Sequence, residues 1–268
     1  MQARSLTPPP GGGILDFEWW ANNGPTAGYL LRIALAAADE LERKPGETAR
    51  HAAVQLLALP AADAFEYEAT RLPTRSGTGV TSVAFAQRRL FATAQVVMGT
   101  AGGPSSSGDV TPPPAMPRQA YRPIVMSSPQ VPVTQHFEYR PTGDVEGSGP
   151  RDGWDVVWLT PLDGGVAGRQ LVASMIDCWY PPSYMRAVRE HLRRGEPLRQ
   201  PSPTVLAAVT VSFTAGDRAY DDVTHALLAS QVAATAGGWT LERHEIWSER
   251  GVLLAAADLV REIAEVAA

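Results

Sequence analysis

Residues 168–183, GRQLVASMIDCWYPPS, contain one carboxylate within an otherwise apolar segment. The apolar side chains recur at helical spacing around most of the circumference, which predicts a buried helix. They are Leu171, Val172, Met175, Ile176 and Trp179. Asp177 lies in the last predicted turn, before Pro181 and Pro182, which end the helix because proline lacks an amide donor. Because burying an acid is costly unless it is paired or solvated, we expect Asp177 to face a cleft or to have a hidden partner.

Composition narrows the class of this 268-residue chain. Its 44% of hydrophobic residues is ordinary for a globular protein with a sizeable core. A net charge of −5 disfavours a nucleic-acid-binding surface, which needs clustered Lys and Arg. Cys178 is the only cysteine, so no intramolecular disulfide can form. Neither a signal peptide nor a membrane-spanning segment is evident, and we expect a cytoplasmic protein.

Turn-forming residues divide the chain into segments. We expect a flexible N-terminus over 1–13, a first domain over 14–99, a Gly-, Pro- and Ser-rich linker over 100–118 and a second domain over 119–268. Each domain opens with a strand-like run, over 14–20 and 133–139, and continues into an apolar helix, over 28–41 in the first domain and from 168 to the residues before Pro181 in the second. The second also has a strand-like insert over 154–159 and a surface helix over 186–199. Four further strand-like runs close each domain, which indicates an internal duplication.

Short joints between the runs predict antiparallel hairpins rather than crossover connections. In residues 65–70, FEYEAT, apolar and polar side chains alternate, as in a sheet with one solvated face. A lone curled sheet would leave an edge exposed, whereas two copies can pair edge to edge. The predicted fold is α+β, a tandem (double) hotdog, in which two antiparallel sheets are each wrapped around a central buried helix.

The chain resembles acyl-CoA thioesterase II-like proteins of the double-hotdog superfamily from about residue 14 to residue 263. The segments that carry the resemblance are NGPTAGY at 23–29, RLPTRSGTGVTSVAFAQ at 71–87, LFATAQVVM at 90–98, PLDGG at 161–165, the helix with Asp177, and residues 246–255. The resemblance implies hydrolysis of an acyl-CoA or carrier-bound acyl thioester. It also implies that an aspartate, a threonine or serine, and a glutamine hold the attacking water.

These family positions correspond to particular residues of the second half. Asp177 stands at the aspartate, and a partly desolvated carboxylate can accept a proton from water; the alternative is a backbone cap or a pair with an arginine. Thr204 is the nearest hydroxyl, although counting along its strand also allows Thr210. Leu259 occupies the glutamine position, and its neighbour Asp258 is expected to point to the opposite face of the strand.

Four further residues are candidates for substrate binding: Asn23, Gly28, Tyr29 and Trp179. Backbone N–H groups of Ala27 and Gly28, at the start of a helix, can donate to a thioester oxyanion. The alternative is a tight turn that lets this helix pack, with Asn23 acting only as an N-cap. Trp179 can line an acyl pocket or belong to the core.

Other chemistries lack support in the sequence. The histidines are scattered without metal-ligand spacing, no Gly-x-Ser-x-Gly motif occurs, and we expect no metal and no cofactor. Asp177 beside Cys178 disfavours a nucleophilic thiolate. The resemblance thus favours a thioester hydrolase that acts on a small-molecule acyl thioester, and it implies a homo-oligomer. The first alternative is a non-hydrolytic acyl-binding protein, because Leu259 replaces the glutamine; hydration of an enoyl thioester comes last.

Overall fold

The computed structural model describes residues 11–21, 24–41, 44–74, 78–100, 111–115, 117–124, 131–143, 153–162, 166–194 and 204–263. The strands are β1 (Gly12–Ile14), β2 (Trp20–Ala21), β3 (Gly24–Pro25), β4 (Glu47–Leu56), β5 (Ala64–Leu72), β6 (Gly79–Ala86), β7 (Leu90–Thr100), β8 (Phe137–Pro141), β9 (Asp155–Pro161), β10 (Thr204–Phe213), β11 (Ala226–Ala236), β12 (Trp239–Trp247) and β13 (Leu253–Ile263). The α-helices are α1 (Ala27–Glu40), α2 (Gly168–Ser174) and α3 (Pro182–Arg193). Among these residues, no helix combines the length and apolar composition needed to cross a bilayer.

The strands form one 11-stranded sheet, with β2 and β3 paired separately. Its order is β1-β5-β6-β7-β4-β10-β13-β12-β11-β9-β8, and every described pairing is antiparallel, as predicted. Strands from the first half of the chain lie on one side and strands from the second half on the other. The two sets meet where β4 pairs with β10 between Ala208↔Gln55 and Ser212↔His51. Pairing of β4 with β10 joins the two halves edge to edge, as the sequence analysis allows, so the strands form one continuous sheet.

Helix α1 lies in the core, as its alanine- and leucine-rich sequence predicts. It begins one residue before the predicted Gly28 and ends one residue before the predicted Leu41. The Thr26 side chain caps the first turn by accepting from the Tyr29 N–H at 3.3 Å. A Cβ on Gly28 would lie 2.6 Å from the carbonyl oxygen of Ala173, so this glycine allows α1 and α2 to touch.

The second apolar helix, predicted to run from residue 168 until Pro181 stops it, is shorter in the structure, where α2 ends at Ser174. Beyond it the amide of Ile176 donates to the Ala173 carbonyl, three residues back, at 3.1 Å. The Ser174 hydroxyl also donates to the Leu171 carbonyl at 2.7 Å and competes with the helical amide for that acceptor. Asp177 therefore lies in the turn after the helix rather than in its last turn.

Three further boundaries differ from the predictions. Pro182 begins α3 instead of ending the preceding helix, since its fixed φ suits a first helical position. The runs predicted as strands over 14–20 and 133–139 contain 3-10 helices at Phe17–Trp19 and Pro132–His136. Strand β1 pairs with β5 and includes Gly12 and Gly13, which the sequence assigns to the flexible N-terminus. Residues 1–10 and most of the predicted linker lie outside the described residues.

Candidate active site

A pocket opens between the residues that precede α1, the turn that follows α2, and the paired ends of β10 and β13. Its ionisable and hydroxyl groups come from Thr26, Asp177, Tyr180, Thr204 and Arg261. Much of the rest is apolar and includes Pro25, Leu56, Leu59, Val133, Trp179 and Leu206. A wall of this composition can hold an apolar chain next to a small polar centre.

Asp177 is 5% exposed, and both of its oxygens are engaged. Oδ2 accepts a hydrogen bond from the Ala27 N–H at 3.1 Å, so the positive end of α1 stabilises the carboxylate. Oδ1 forms an ion pair with the guanidinium Nη2 of Arg261. The two options considered for this acid are therefore both realised, since Asp177 borders a pocket and also has a hidden partner.

Arg261 connects Asp177 to a second buried carboxylate. Its Nε donates to Oε2 of Glu242 at 2.8 Å, and Oε1 of Glu242 accepts from the Ser183 hydroxyl at 2.7 Å. Burial alone would raise the pKa of Glu242, but the charge of Arg261, the nearby imidazole of His244 and a hydrogen bond from Ser183 lower it to about 2. Burial lowers the pKa of Arg261, but the two carboxylates outweigh it and raise that pKa, so the guanidinium remains charged.

Two side chains hold the turn that carries Asp177. The Nδ1 of His244 on β12 lies 2.6 Å from the carbonyl oxygen of Ile176, which can only accept, so Nδ1 carries the proton. The hydroxyl of Tyr139 on β8 donates to the Cys178 carbonyl at 2.7 Å. These bonds satisfy the backbone on both sides of Asp177 and fix the direction of its side chain.

Thr204 and Thr210, the two hydroxyls allowed by the sequence, lie in different environments on β10. Thr204 is half-buried at the start of the strand and lines the pocket that Asp177 borders. Thr210 is exposed and stands opposite Asp258 of β13 in the sheet register. Of the residues predicted from the sequence, Asp177, Thr204 and Trp179 thus come together at one pocket.

The residues predicted near the start of α1 make packing contacts in the structure. Gly28 packs against α2, and the hydroxyl of Tyr29 accepts from the Asp16 N–H at 3.3 Å while its ring stacks on Trp19. The Ala27 N–H, suggested as an oxyanion donor, is taken by Asp177. The contact of Gly28 fits the packing alternative, and the substrate-binding roles of Gly28 and Tyr29 remain predictions. Asn23 lies outside the described residues.

Arg261 is the site residue that the sequence analysis missed. On β13 the side chains of Ala255, Ala257, Leu259 and Arg261 share the buried face of the sheet. Leu259 is fully buried and does not line the pocket, whereas Arg261, two residues further along, does. A lone charge on an otherwise apolar strand face was the available signal, because such a charge needs a partner.

Two neighbours of the predicted site residues behave as expected. Asp258 points away from the core and forms a surface ion pair with Arg243, whose Nε lies 3.2 Å from Oδ1. The Cys178 thiol is buried and donates to the Met175 carbonyl at 3.2 Å. Burial, assisted by the charge of Asp177, raises the pKa of Cys178 well above its ordinary value, which disfavours a nucleophilic thiolate.

Comparisons with known proteins identify the family and the fold of this chain. The family model for the acyl-CoA thioesterase C-terminal domain matches residues 108–258, more than half of the chain. A search of curated proteins gave no match.

Several solved structures are similar over nearly the whole chain. A conserved protein of unknown function with a hotdog fold, from Alicyclobacillus acidocaldarius, has a TM-score of 0.82 at 20% identity and covers 96% of this chain and 93% of its own. A proposed thioesterase II from Thermobifida fusca has a TM-score of 0.75 at 14% identity, and the match covers 95% of this chain and 92% of the other. An acyl-CoA thioesterase II from Mycobacterium marinum has a TM-score of 0.69 at 14% identity, covering 91% of each chain. At these identities the similarity establishes a hotdog fold.

Proposed function

We propose that this chain, which belongs to the acyl-CoA thioesterase C-terminal domain family, hydrolyses an acyl thioester of CoA or of a carrier protein. The observation that carries the proposal is the shared pocket of Asp177 and Thr204, whose other walls are largely apolar. An acyl chain fits the apolar walls, and a water molecule fits the polar end beside the carboxylate. The free energy gained by binding the acyl group can then hold the thioester carbonyl next to that water.

In the proposed mechanism Asp177 is the general base. Each carboxylate oxygen has lone pairs beyond the one used by Ala27 or Arg261, so Asp177 can still accept a bond from water. The water oxygen attacks the thioester carbonyl carbon while its proton passes to Asp177 and the Thr204 hydroxyl steadies the water. Collapse of the tetrahedral intermediate breaks the C–S bond, and the departing sulfur takes the proton from Asp177.

The pocket draws on both halves of the chain, which fits the tandem interpretation of the fold. Pro25 and Leu56 come from the first half, and Asp177, Thr204 and Arg261 come from the second. We include in the proposal that domains 14–99 and 119–268 are two hotdogs joined through β4 and β10. Under this interpretation neither half alone forms the complete site.

Release of free thiol from acyl thioesters tests the proposed activity. The purified chain is incubated with short, medium, long and aromatic acyl-CoAs and with an acylated carrier protein, and the free thiol is measured with a chromogenic reagent. We expect enzyme-dependent release with a preference among acyl chains. Absence of release across the whole panel would contradict the proposal.

The second candidate function is acyl binding without hydrolysis. It is favoured by Leu259, which is fully buried where the family resemblance places a glutamine, and by the engagement of both oxygens of Asp177. Calorimetric titration with the same acyl-CoAs separates the two candidates. Saturable binding without thiol release would identify a binding protein, whereas turnover would exclude this alternative.

A further inference from the structure

The guanidinium of Arg261 has one nitrogen that the buried network leaves unused. Nε bonds Glu242 and Nη2 bonds Asp177, while Nη1 makes no hydrogen bond to any residue of the described ranges. Some described side-chain nitrogen atoms are buried without a hydrogen-bond partner, but Nη1 is not one of them, so it is accessible to solvent. Arg261 lines the pocket, so Nη1 is the guanidinium nitrogen that remains available to whatever binds there.

We propose that Nη1 of Arg261 donates to the thioester carbonyl oxygen and stabilises the oxyanion formed when water attacks. The inference rests on the proposed function, because that function supplies an acyl thioester to the pocket. It assigns to a strand side chain the role that the start of α1 cannot fill through Ala27, whose N–H is bonded to Asp177. A preorganised donor of this kind in a water-poor site is an effective source of rate acceleration.

The charges around the guanidinium favour a carbonyl over a permanent anion. Arg261 already contacts two carboxylates, Asp177 and Glu242, so a third anion would be repelled. A neutral carbonyl oxygen carries no such penalty. The substrate class is therefore an acyl thioester whose chain has no carboxylate near the carbonyl, in keeping with the neighbouring Trp179 and Leu206.

The attack step leaves the total charge around Arg261 unchanged. As the water oxygen bonds to the carbonyl carbon, its proton passes to Asp177 and the C=O electron pair moves to the carbonyl oxygen. Negative charge thus leaves one contact of the guanidinium, at Nη2, and appears at another, at Nη1. Collapse reverses the transfer, because the C–S bond breaks and the sulfur takes the proton from Asp177.

Infrared spectroscopy of a bound substrate analogue tests the contact directly. The analogue is an acyl-CoA in which a methylene replaces the thioester sulfur and the carbonyl carbon is ¹³C, prepared with short, medium, long and aromatic acyl groups. It cannot be hydrolysed, so the measurement does not depend on turnover. A hydrogen bond from Nη1 lowers the carbonyl stretching frequency of the bound analogue relative to the free one.

The main variant is the double substitution Glu242→Gln and Arg261→Met. It removes one negative and one positive charge together, so the net charge of the cluster is preserved while the donor is lost. Arg261→Lys is the second variant, because it keeps the positive charge but lacks the planar fork that reaches three acceptors. Arg243→Lys, in a surface ion pair on the neighbouring strand, is the matched control.

We expect the frequency shift in the wild type and in Arg243→Lys, and its loss in both variants at position 261. Where thiol release is measurable, we expect kcat of the double variant to fall about 100-fold while KM changes by less than about threefold. An unshifted carbonyl in the wild type, an analogue that does not bind, or a shift retained in either variant at position 261 would overturn the inference. Thiol release with an unshifted carbonyl leaves the proposed function standing and overturns the inference. An Arg261-dependent shift without release removes the proposed function and the oxyanion role with it, and leaves only the contact between Arg261 and the carbonyl.

Discussion

Arg261 and Asp177 form a buried ion pair between the last strand of the sheet and the turn after α2, although 84 positions separate them in the sequence. The same carboxylate accepts the Ala27 N–H at the start of α1, 150 positions away. Asp177 thus connects the first half of the chain, the second central helix and the final strand. The geometry of the proposed reaction centre and the packing of the core depend on the same contacts.

Removing the guanidinium should destabilise the fold strongly. Arg261→Met leaves Asp177 and Glu242 buried with their charges uncompensated, and we expect a loss of about 3–5 kcal/mol in the free energy of unfolding. Urea denaturation of the two proteins measures the difference. Arg243→Met, which breaks the exposed pair with Asp258, should cost less than about 1 kcal/mol. Equal losses in the two variants would contradict the importance of the buried network.

The stability of the chain should depend on Glu242 at acid pH. Its pKa in the folded chain, about 2, lies below the ordinary value of 4.5, so the unfolded state takes up the proton first as the pH falls. The contribution, about 3 kcal/mol, is complete above the unfolded pKa and is lost as the pH falls toward the folded pKa. Urea unfolding from about pH 6 to pH 3 should therefore show a steeper decline for the wild type than for Glu242→Gln. Parallel curves would show that Glu242 is not stabilised in this way.

The close contact of α1 and α2 predicts that Gly28→Ala destabilises the fold. The new Cβ would lie 2.6 Å from the Ala173 carbonyl oxygen and 2.8 Å from that of Ser174, both backbone atoms, so the helices must separate. We expect a loss of about 1–3 kcal/mol in stability, measured by thermal or urea unfolding. Gly216→Ala is the control, because nothing lies within 4 Å of its added Cβ and its φ of −63° suits alanine. A stable Gly28→Ala variant with weakened substrate binding would instead favour the sequence-based assignment of Gly28 to the substrate.

Much of this fold follows from local patterns in the sequence. The alanine-rich run of α1 and the alternating residues of β5 predict elements within one residue of those observed, because α1 is buried on all sides and β5 on one face. The region around Asp177 is different. Met175 and Ile176 continue the helical spacing after α2 has ended, since they are buried by neighbouring elements whether or not the helix continues.

The candidate site was only partly predictable. Asp177 and Thr204 can be found from their resemblance to a known family, but the partner of Asp177 cannot, because the curvature of the sheet decides which side chain of β13 reaches it. Leu259 and Arg261 differ by one strand repeat on the same face. An offset of that size is decided by tertiary packing, which spacing along the chain does not reveal.

The two threonines of β10 offer a matched pair for kinetics. Thr204→Val removes the hydroxyl at the pocket with little change in volume, and we expect kcat to fall about five- to tenfold, the effect of one lost hydrogen bond. Thr210→Val, on an exposed part of the same strand, should leave kcat unchanged. The reverse pattern would assign the site hydroxyl to Thr210.

The effect of Asp177→Asn on thiol release tests the central claim most directly. The amide retains an acceptor for Arg261 but cannot take a proton from water, so we expect kcat to fall about 100-fold or more for every acyl-CoA that the wild type hydrolyses. Asp258→Asn, a carboxylate of the exposed face of β13, is the control and should retain wild-type turnover. A folded Asp177→Asn variant that releases thiol as fast as the wild type would contradict the role of Asp177 as the base.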